Sequence, residues 1–136
     1  MPFVVDPSFA AAWFLQDEAN PVAEAIARRL GLDTAVVPTL FRHELRNLLV
    51  VAYRRGRLTE ALLFEQSARA ERFAFEEHFV RHAHSVVRLA LQHKLTSYDA
   101  TYVDLAQNLG LELASNDKDL LAAARQEGVK TITALV

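Results

Sequence analysis

The sequence predicts an α/β fold: a mostly parallel central sheet flanked by helices on both faces. Two observations carry this. Short apolar runs at residues 3–5, 34–37, 111–114 and 129–135 alternate with longer segments whose apolar residues recur at helical spacing. Parallel strands need crossover helices, and this alternation supplies them. Length and composition fit the same picture. The chain has 136 residues, 51% hydrophobic and 24% charged, enough for one core-forming domain over residues 1–136 with no repeat, linker or low-complexity tract.

The elements follow in order. Phe3, Val4 and Val5 form a strand that meets Asp6 and Pro7, a capping oxygen followed by the residue best suited to a first helical turn. A helix over residues 21–30 stops at Gly31, and residues 34–37 make a short buried strand ended by Pro38. Between 39 and 55, Phe41, Leu45, Leu48, Leu49 and Ala52 trace one helical face, closed by Gly56. Thr59 and Glu60 open a helix expected to continue to about Phe75, and another is expected over residues 80–94. Ser97 caps a helix carrying Tyr98, Tyr102, Leu105, Ala106 and Leu109, stopped by Gly110. A strand over 111–114, a helix over 118–126 and a final strand over 129–135 complete the chain.

Composition removes several function classes. The absence of cysteine excludes disulfides, thiolate zinc sites and a thiol nucleophile, and suits the cytoplasm. A net charge of −2 gives no global attraction to nucleic acid, so polyanion binding needs a local basic patch or a metal. No stretch approaches the roughly 20 apolar residues of a membrane span. The opening MPFVVDPSF lacks a basic leader and is not read as a signal peptide.

Four acids stand where acids are costly. Asp6 closes an apolar strand, Glu44 lies in the apolar stripe of its helix, Asp99 shares a face with Tyr102, Val103 and Ala106, and Asp117 follows a strand. In open α/β sheets ligands collect beyond the carboxyl ends of strands, which is where Asp6 and Asp117 fall. Carboxylates gathered there repel one another and raise each other's pKa unless a cation lies between them, and oxygen ligands suit a hard divalent metal. Taken singly, Asp6 and Asp117 also read as helix caps and Asp99 as a first-turn acid, whereas a mid-helix Glu44 has no such role. Asp104 groups with Gln107 and Asn108 and is expected at the surface; Asp17, Glu24 and Asp33 have no claim on the site.

These residues carry a resemblance. Val4-Val5-Asp6-Pro7-Ser8, the helix after Pro38 with Glu44 and Asn47, Ser97-Tyr98-Asp99-Ala100 with Tyr102, and Leu113-Ala114-Ser115-Asn116-Asp117-Lys118-Asp119-Leu120 together resemble a PIN domain. The similarity is to the short ribonuclease toxins of VapBC toxin–antitoxin pairs and covers the chain in order. It implies that Asp6, Asp99 and Asp117 hold Mg²⁺ or Mn²⁺, with Glu44 a ligand through water or the group orienting the nucleophile. Ser8 and Ser115 would assist, and Asn47 would orient the acids. Asp119 is a second candidate for the last acid position. The implied chemistry is metal-assisted hydrolysis of RNA, with Arg42 and Arg46 as phosphate contacts and a small cognate antitoxin as partner. The alternative is a PIN-like module that binds RNA or protein without cutting.

Other features weigh less. His78, His82 and His84 are close in sequence, but their charged neighbours indicate a wet face, and His43 lies about 100° around its helix from Glu44. Trp13, Phe14, Phe64, Phe73, Phe75 and Phe79 read as core or contact surface. The run Phe73, Phe75 and Phe79 hints at a homodimer or higher oligomer. A receiver domain needs paired acids after the first strand, and a haloacid-dehalogenase-type hydrolase needs an aspartate where Ser8 sits.

Overall fold

The computed structural model describes residues 1–136. Its five strands are β1 (Phe3–Val5), β2 (Ala35–Pro38), β3 (Phe75–His78), β4 (Glu112–Ala114) and β5 (Thr131–Ile132). They form one sheet in the order β3-β2-β1-β4-β5, and every neighbouring pair is parallel. The helices are α1 (Pro7–Ala10), α2 (Pro21–Arg29), α3 (Phe41–Arg54), α4 (Glu60–Arg72), α5 (Ala83–His93), α6 (Ser97–Leu109) and α7 (Lys118–Gln126). Central β1 is fully buried, which is why its sequence is uninterrupted Phe-Val-Val and does not alternate. Val4 lies opposite Val36 on one side and Leu113 on the other, so the carboxyl ends of β1 and β4 emerge together.

The helix ends obey local chemistry. Asn20 caps α2 through Ala23 N with Pro21 in the first turn, and Thr59 caps α4 through Leu62 N. Thr96, not the expected Ser97, caps α6 through Asp99 N, and Gly110 ends that helix at φ 66°.

The expected helix from Thr59 to about Phe75 ends instead at Arg72, and residues 75–78 form edge strand β3. Phe-Glu-Glu-His carries no run of apolar residues because only Phe75 is buried; Glu76 and Glu77 are exposed on the sheet's edge. The next helix starts at Ala83, not Val80, and the last strand shrinks to Thr131–Ile132. Asp104 is also corrected: it is 5% exposed, accepting bonds from Ser85 Oγ at 2.6 Å and Asn108 Nδ2 at 3.2 Å. Those two donors make its burial tolerable.

Aromatic residues anchor β3. Phe75 packs 4.6 Å from Phe41 and 4.7 Å from Phe73, and Trp13 stacks on Phe73 at 5.6 Å. Phe73 and Phe75 therefore belong to the interior, and only Phe79 of the proposed contact trio is exposed, at 81%.

Arg42 fastens this corner. Its guanidinium donates to the carbonyls of Ala70 at 2.7 Å and Phe73 at 3.1 Å, pairs with Glu77 at 3.2 Å, and lies 5.4 Å from the Phe75 ring centre. It gives a second donor to carbonyls at the end of α4 that also accept from Phe73 N and Phe75 N, and ties α3 to α4 and β3. These bonds take three of the five N–H donors of Arg42, one on each nitrogen. Arg42→Ala should lower stability by about 2 kcal/mol, read as a reduced urea midpoint with unchanged slope. Arg46→Ala, an exposed residue of the same helix, should leave the midpoint within about 0.5 kcal/mol of wild type.

Candidate active site

The site gathers where four helices begin. Asp6 is the N-cap of α1, Glu44 lies in the first turn of α3, Asp99 in the first turn of α6, and Asp117 is the N-cap of α7. Glu44 is thus not mid-helix, because α3 starts at Phe41 and not at Thr39. Four positive dipole ends face the acids and partly offset their repulsion.

Asp6 is the most enclosed member, 4% exposed. Its Oδ1 accepts from Ser8 Oγ at 2.7 Å and Phe9 N at 3.1 Å, and its Oδ2 accepts from Ser115 Oγ at 2.8 Å. The serines are themselves held. Asn116 N donates to Ser8 Oγ at 2.9 Å, and Asp117 N donates to Ser115 Oγ at 3.0 Å. Parallel pairing makes this possible, since Asp6 N bonds to Ala114 O and brings the ends of β1 and β4 side by side. Asn116 extends the network to the C-terminal segment by accepting from Thr133 Oγ1 at 3.1 Å and Ala134 N at 2.9 Å.

The electrostatics agree in sign. Burial pushes the Asp6 carboxyl up to about 7, against the lowering effect of its serine and amide donors, and Asp117 adds repulsion. Burial also raises Glu44 and Asp99, with Asp99 acting on Glu44, and Asp117 and Asp119 acting on Asp99. None of these acids has an ion-pair partner; the chain's ion pairs all lie elsewhere.

Tyr102 is a site residue that periodicity had placed in the core. It is 1% exposed and donates its hydroxyl to Glu44 Oε1 at 2.6 Å. Burial, then Glu44, Asp6 and Asp99, raise its pKa, so it remains a proton donor among carboxylates. The signal available in sequence was a tyrosine one turn after Asp99 on the same helical face.

Other expected residues stand apart. Asn47 is exposed and makes no side-chain hydrogen bond to the acids; Arg46 is exposed beside His43; Asp119 is exposed in the first turn of α7. His78 pairs with Glu76 at 2.9 Å, and His82 and His84 are exposed around the start of α5. No three His, Asp or Glu side chains are set closely enough to hold an ion as they stand. The donor chemistry nonetheless fits a hard cation: every available group is a carboxylate or hydroxyl oxygen. Magnesium keeps several waters and needs only one or two direct carboxylates. Oδ1 of Asp6 already accepts two bonds and Oδ2 one, from Ser115 Oγ, so the remaining lone pair of Oδ2 is the one an ion would take.

Known proteins share this fold. The PIN domain family matches residues 3–132. Ribonuclease VapC3 from Pyrobaculum aerophilum is 32% identical, over 88% of this chain and 92% of that protein. The crystal structure of PAE2754 from Pyrobaculum aerophilum is similar with a TM-score of 0.73 at 25% identity, covering 97% of this chain and 84% of that one. Mycobacterium tuberculosis VapC20, a sarcin-ricin-loop-cleaving toxin, shares the fold with a TM-score of 0.60 at 18% identity, covering 89% of this chain and 94% of that one.

The buried carboxylate has a measurable consequence. With a folded pKa near 7 against an ordinary 3.8, the metal-free folded chain keeps a proton on Asp6 that the unfolded chain has released. Stability therefore falls as pH rises through that window, by an amount on the order of a few kcal/mol. Asp6→Asn preserves the cap and removes the charge, so its stability above pH 7 should equal or exceed that of wild type. Urea unfolding in EDTA across pH 5 to 8 reads both. A mutant less stable than wild type at pH 8 would make Asp6 a structural anion.

Proposed function

The chain belongs to the PIN-domain family, and from that premise we propose that it is a Mg²⁺- or Mn²⁺-dependent endoribonuclease, the toxin of a toxin–antitoxin pair. The observation that carries this reading is the set of carboxylates at Asp6, Glu44, Asp99 and Asp117, drawn together at helix starts with no cation to pair them. Its similarity to Ribonuclease VapC3 over most of both chains supports the same conclusion.

Asp6, Asp99 and Asp117 are the residues that would hold the ion. When bound, a divalent ion supplies a lower pKa for a water, polarisation of a phosphoryl oxygen and neutralisation of charge on the leaving 3′ oxygen. The chain's own residues do the rest. Ser8 and Ser115 fix Asp6 by donating to one oxygen each, and Tyr102 locks Glu44 by engaging Oε1, which leaves Oε2 to orient or deprotonate the attacking water. Hydrolysis then forms one P–O bond to the water oxygen and breaks the P–O3′ bond. The water proton passes to the Glu44 carboxylate, and the departing 3′ oxygen takes up a proton from that carboxyl or from solvent.

In a gel assay on an RNA panel, cleavage should require Mg²⁺ or Mn²⁺ and stop in EDTA. Asp6→Asn, Glu44→Gln and Asp99→Asn should abolish it while remaining folded, and Asp117→Asn should cost more activity and Mn²⁺ affinity than Asp119→Asn. Tyr102→Phe should lower kcat about tenfold or more with KM unchanged, and should have no further effect in the Glu44→Gln background. Full activity in Tyr102→Phe would remove the tyrosine from the mechanism.

A free nuclease of this kind injures its host, so the reading includes a small inhibitory partner. A segment that lays apolar side chains along the helices between residues 39 and 75 and inserts an Arg or Lys among the four acids would satisfy them in place of the ion. Expressing the chain alone should arrest growth, and Asp6→Asn or co-expression of the neighbouring small gene should relieve the arrest. Harmless expression of an active wild-type chain would argue for a housekeeping nuclease.

A further inference from the structure

A second cavity, of about 400 Å³, opens on the other side of α6 from the acids. Thr101, Asp104 and Asn108 line it from α6, Pro38 closes it at the end of β2, and the segment from His78 to His82 forms its rim. It therefore shares with the acid site the carboxyl end of the sheet, and it shares α6, whose Asp99 and Tyr102 serve the acids.

We propose that this cavity holds one nucleotide of the RNA and selects guanine, a deepening that rests on the ribonuclease reading. The polar part of the floor centres on an acceptor, the Asp104 carboxylate. Asp104 carries no opposing cation; its Oδ1 accepts from Ser85 Oγ and its Oδ2 from Asn108 Nδ2, so each oxygen retains a free lone pair. Asn108 spends one N–H on Asp104 and keeps its carbonyl oxygen as a further acceptor beside its second N–H. The Thr101 hydroxyl donates to Ser97 O at 2.7 Å and offers no proton.

The Asp104 carboxylate disfavours uracil, whose single N–H is flanked by two carbonyl oxygens that its own oxygens repel. It suits guanine, whose N1–H and N2–H₂ stand side by side like the fork that a carboxylate receives. At the rim Phe79 is 81% exposed, an isolated aromatic face on which a base can stack. Arg81 and His82 are exposed beside it, and Arg81 forms no ion pair, so its charge is free for the nucleotide's phosphate.

The test uses the full chain carrying Asp6→Asn, which binds without cutting, titrated calorimetrically with short single-stranded RNAs. A short oligouridylate with one guanosine should bind about tenfold tighter than oligouridylate alone, and replacing the guanosine by inosine, which lacks N2, should remove most of the gain. Asp104→Asn should abolish the preference. Phe79→Ala, a fully surface change that keeps the proposal testable should Asp104→Asn fold poorly, should weaken guanosine RNA several-fold. In the wild-type chain the same Phe79→Ala and Arg81→Ala changes should raise KM without lowering kcat.

Equal binding of all these RNAs, with cleavage by the wild-type chain intact, would overturn this proposal and leave the nuclease reading standing. No cleavage by wild type together with a guanosine preference that Asp104→Asn abolishes would do the reverse. Phe79→Ala that changes the chain's sedimentation mass and not its RNA affinity would make the rim a contact between two copies, and would also overturn the proposal.

Discussion

The rest of this structure depends on how a carboxylate is kept at the floor of the sheet with no cation beside it. Asp6 is buried, and burial alone would drive it to its neutral form or out of the fold. Two serine hydroxyls and an amide hold it in place and temper the rise in its pKa without cancelling it, and each serine is in turn fixed by an amide of residues 116 and 117. That chain of donors requires β4 to leave the sheet directly beside β1. The parallel register that places Ala114 next to Val5 is therefore an electrostatic requirement as much as a packing one.

Further out, packing sets the angle at which the acids arrive. Glu44 is delivered by α3, and α3 is located by Phe41 against Phe75 and by Arg42 on the carbonyls at the end of α4. Arg42, two residues before Glu44, thus holds the helix that carries the acid. On α6, Ala100, Tyr102, Val103 and Ala106 are buried, and the same helix divides its polar residues between two sides. Asp99 and the Tyr102 hydroxyl turn to the acids, while Thr101, Asp104 and Asn108 line the second cavity.

Much of this was legible in the chain. β1, β2 and β4 are apolar runs with nowhere to go but a buried parallel sheet, and the acids that end two of them announce the site. Strand β3 was hidden because an edge strand needs only one buried residue, and Phe-Glu-Glu-His continues the charged composition of α4. Asp104 misled because its partner Ser85 lies on α5; only the packing of α5 against α6 turns a polar stripe inward. Tyr102 was hidden for the opposite reason. Its ring behaves as core, and its one polar atom is spent on a residue far away in sequence. Periodicity reports where a side chain points and is silent on which atom of it does chemistry.

The acids also show why capping and catalytic readings of such residues were never true alternatives. A capping carboxylate spends one oxygen on the helix and keeps the other off it: Asp117 gives Oδ1 to Leu120 N, and Asp6 gives Oδ1 to Phe9 N while Ser115 holds its Oδ2. The cap fixes the side chain's rotamer, so the second oxygen is aimed before any ion arrives, and the helix dipole lowers the cost of keeping it charged. Asparagine caps as well as aspartate but carries no charge. Substitution by asparagine therefore separates the two roles at a single atom, holding the helix while removing the ligand. A position that tolerates asparagine for folding and not for activity is one where the sequence has placed a functional charge on a structural hinge.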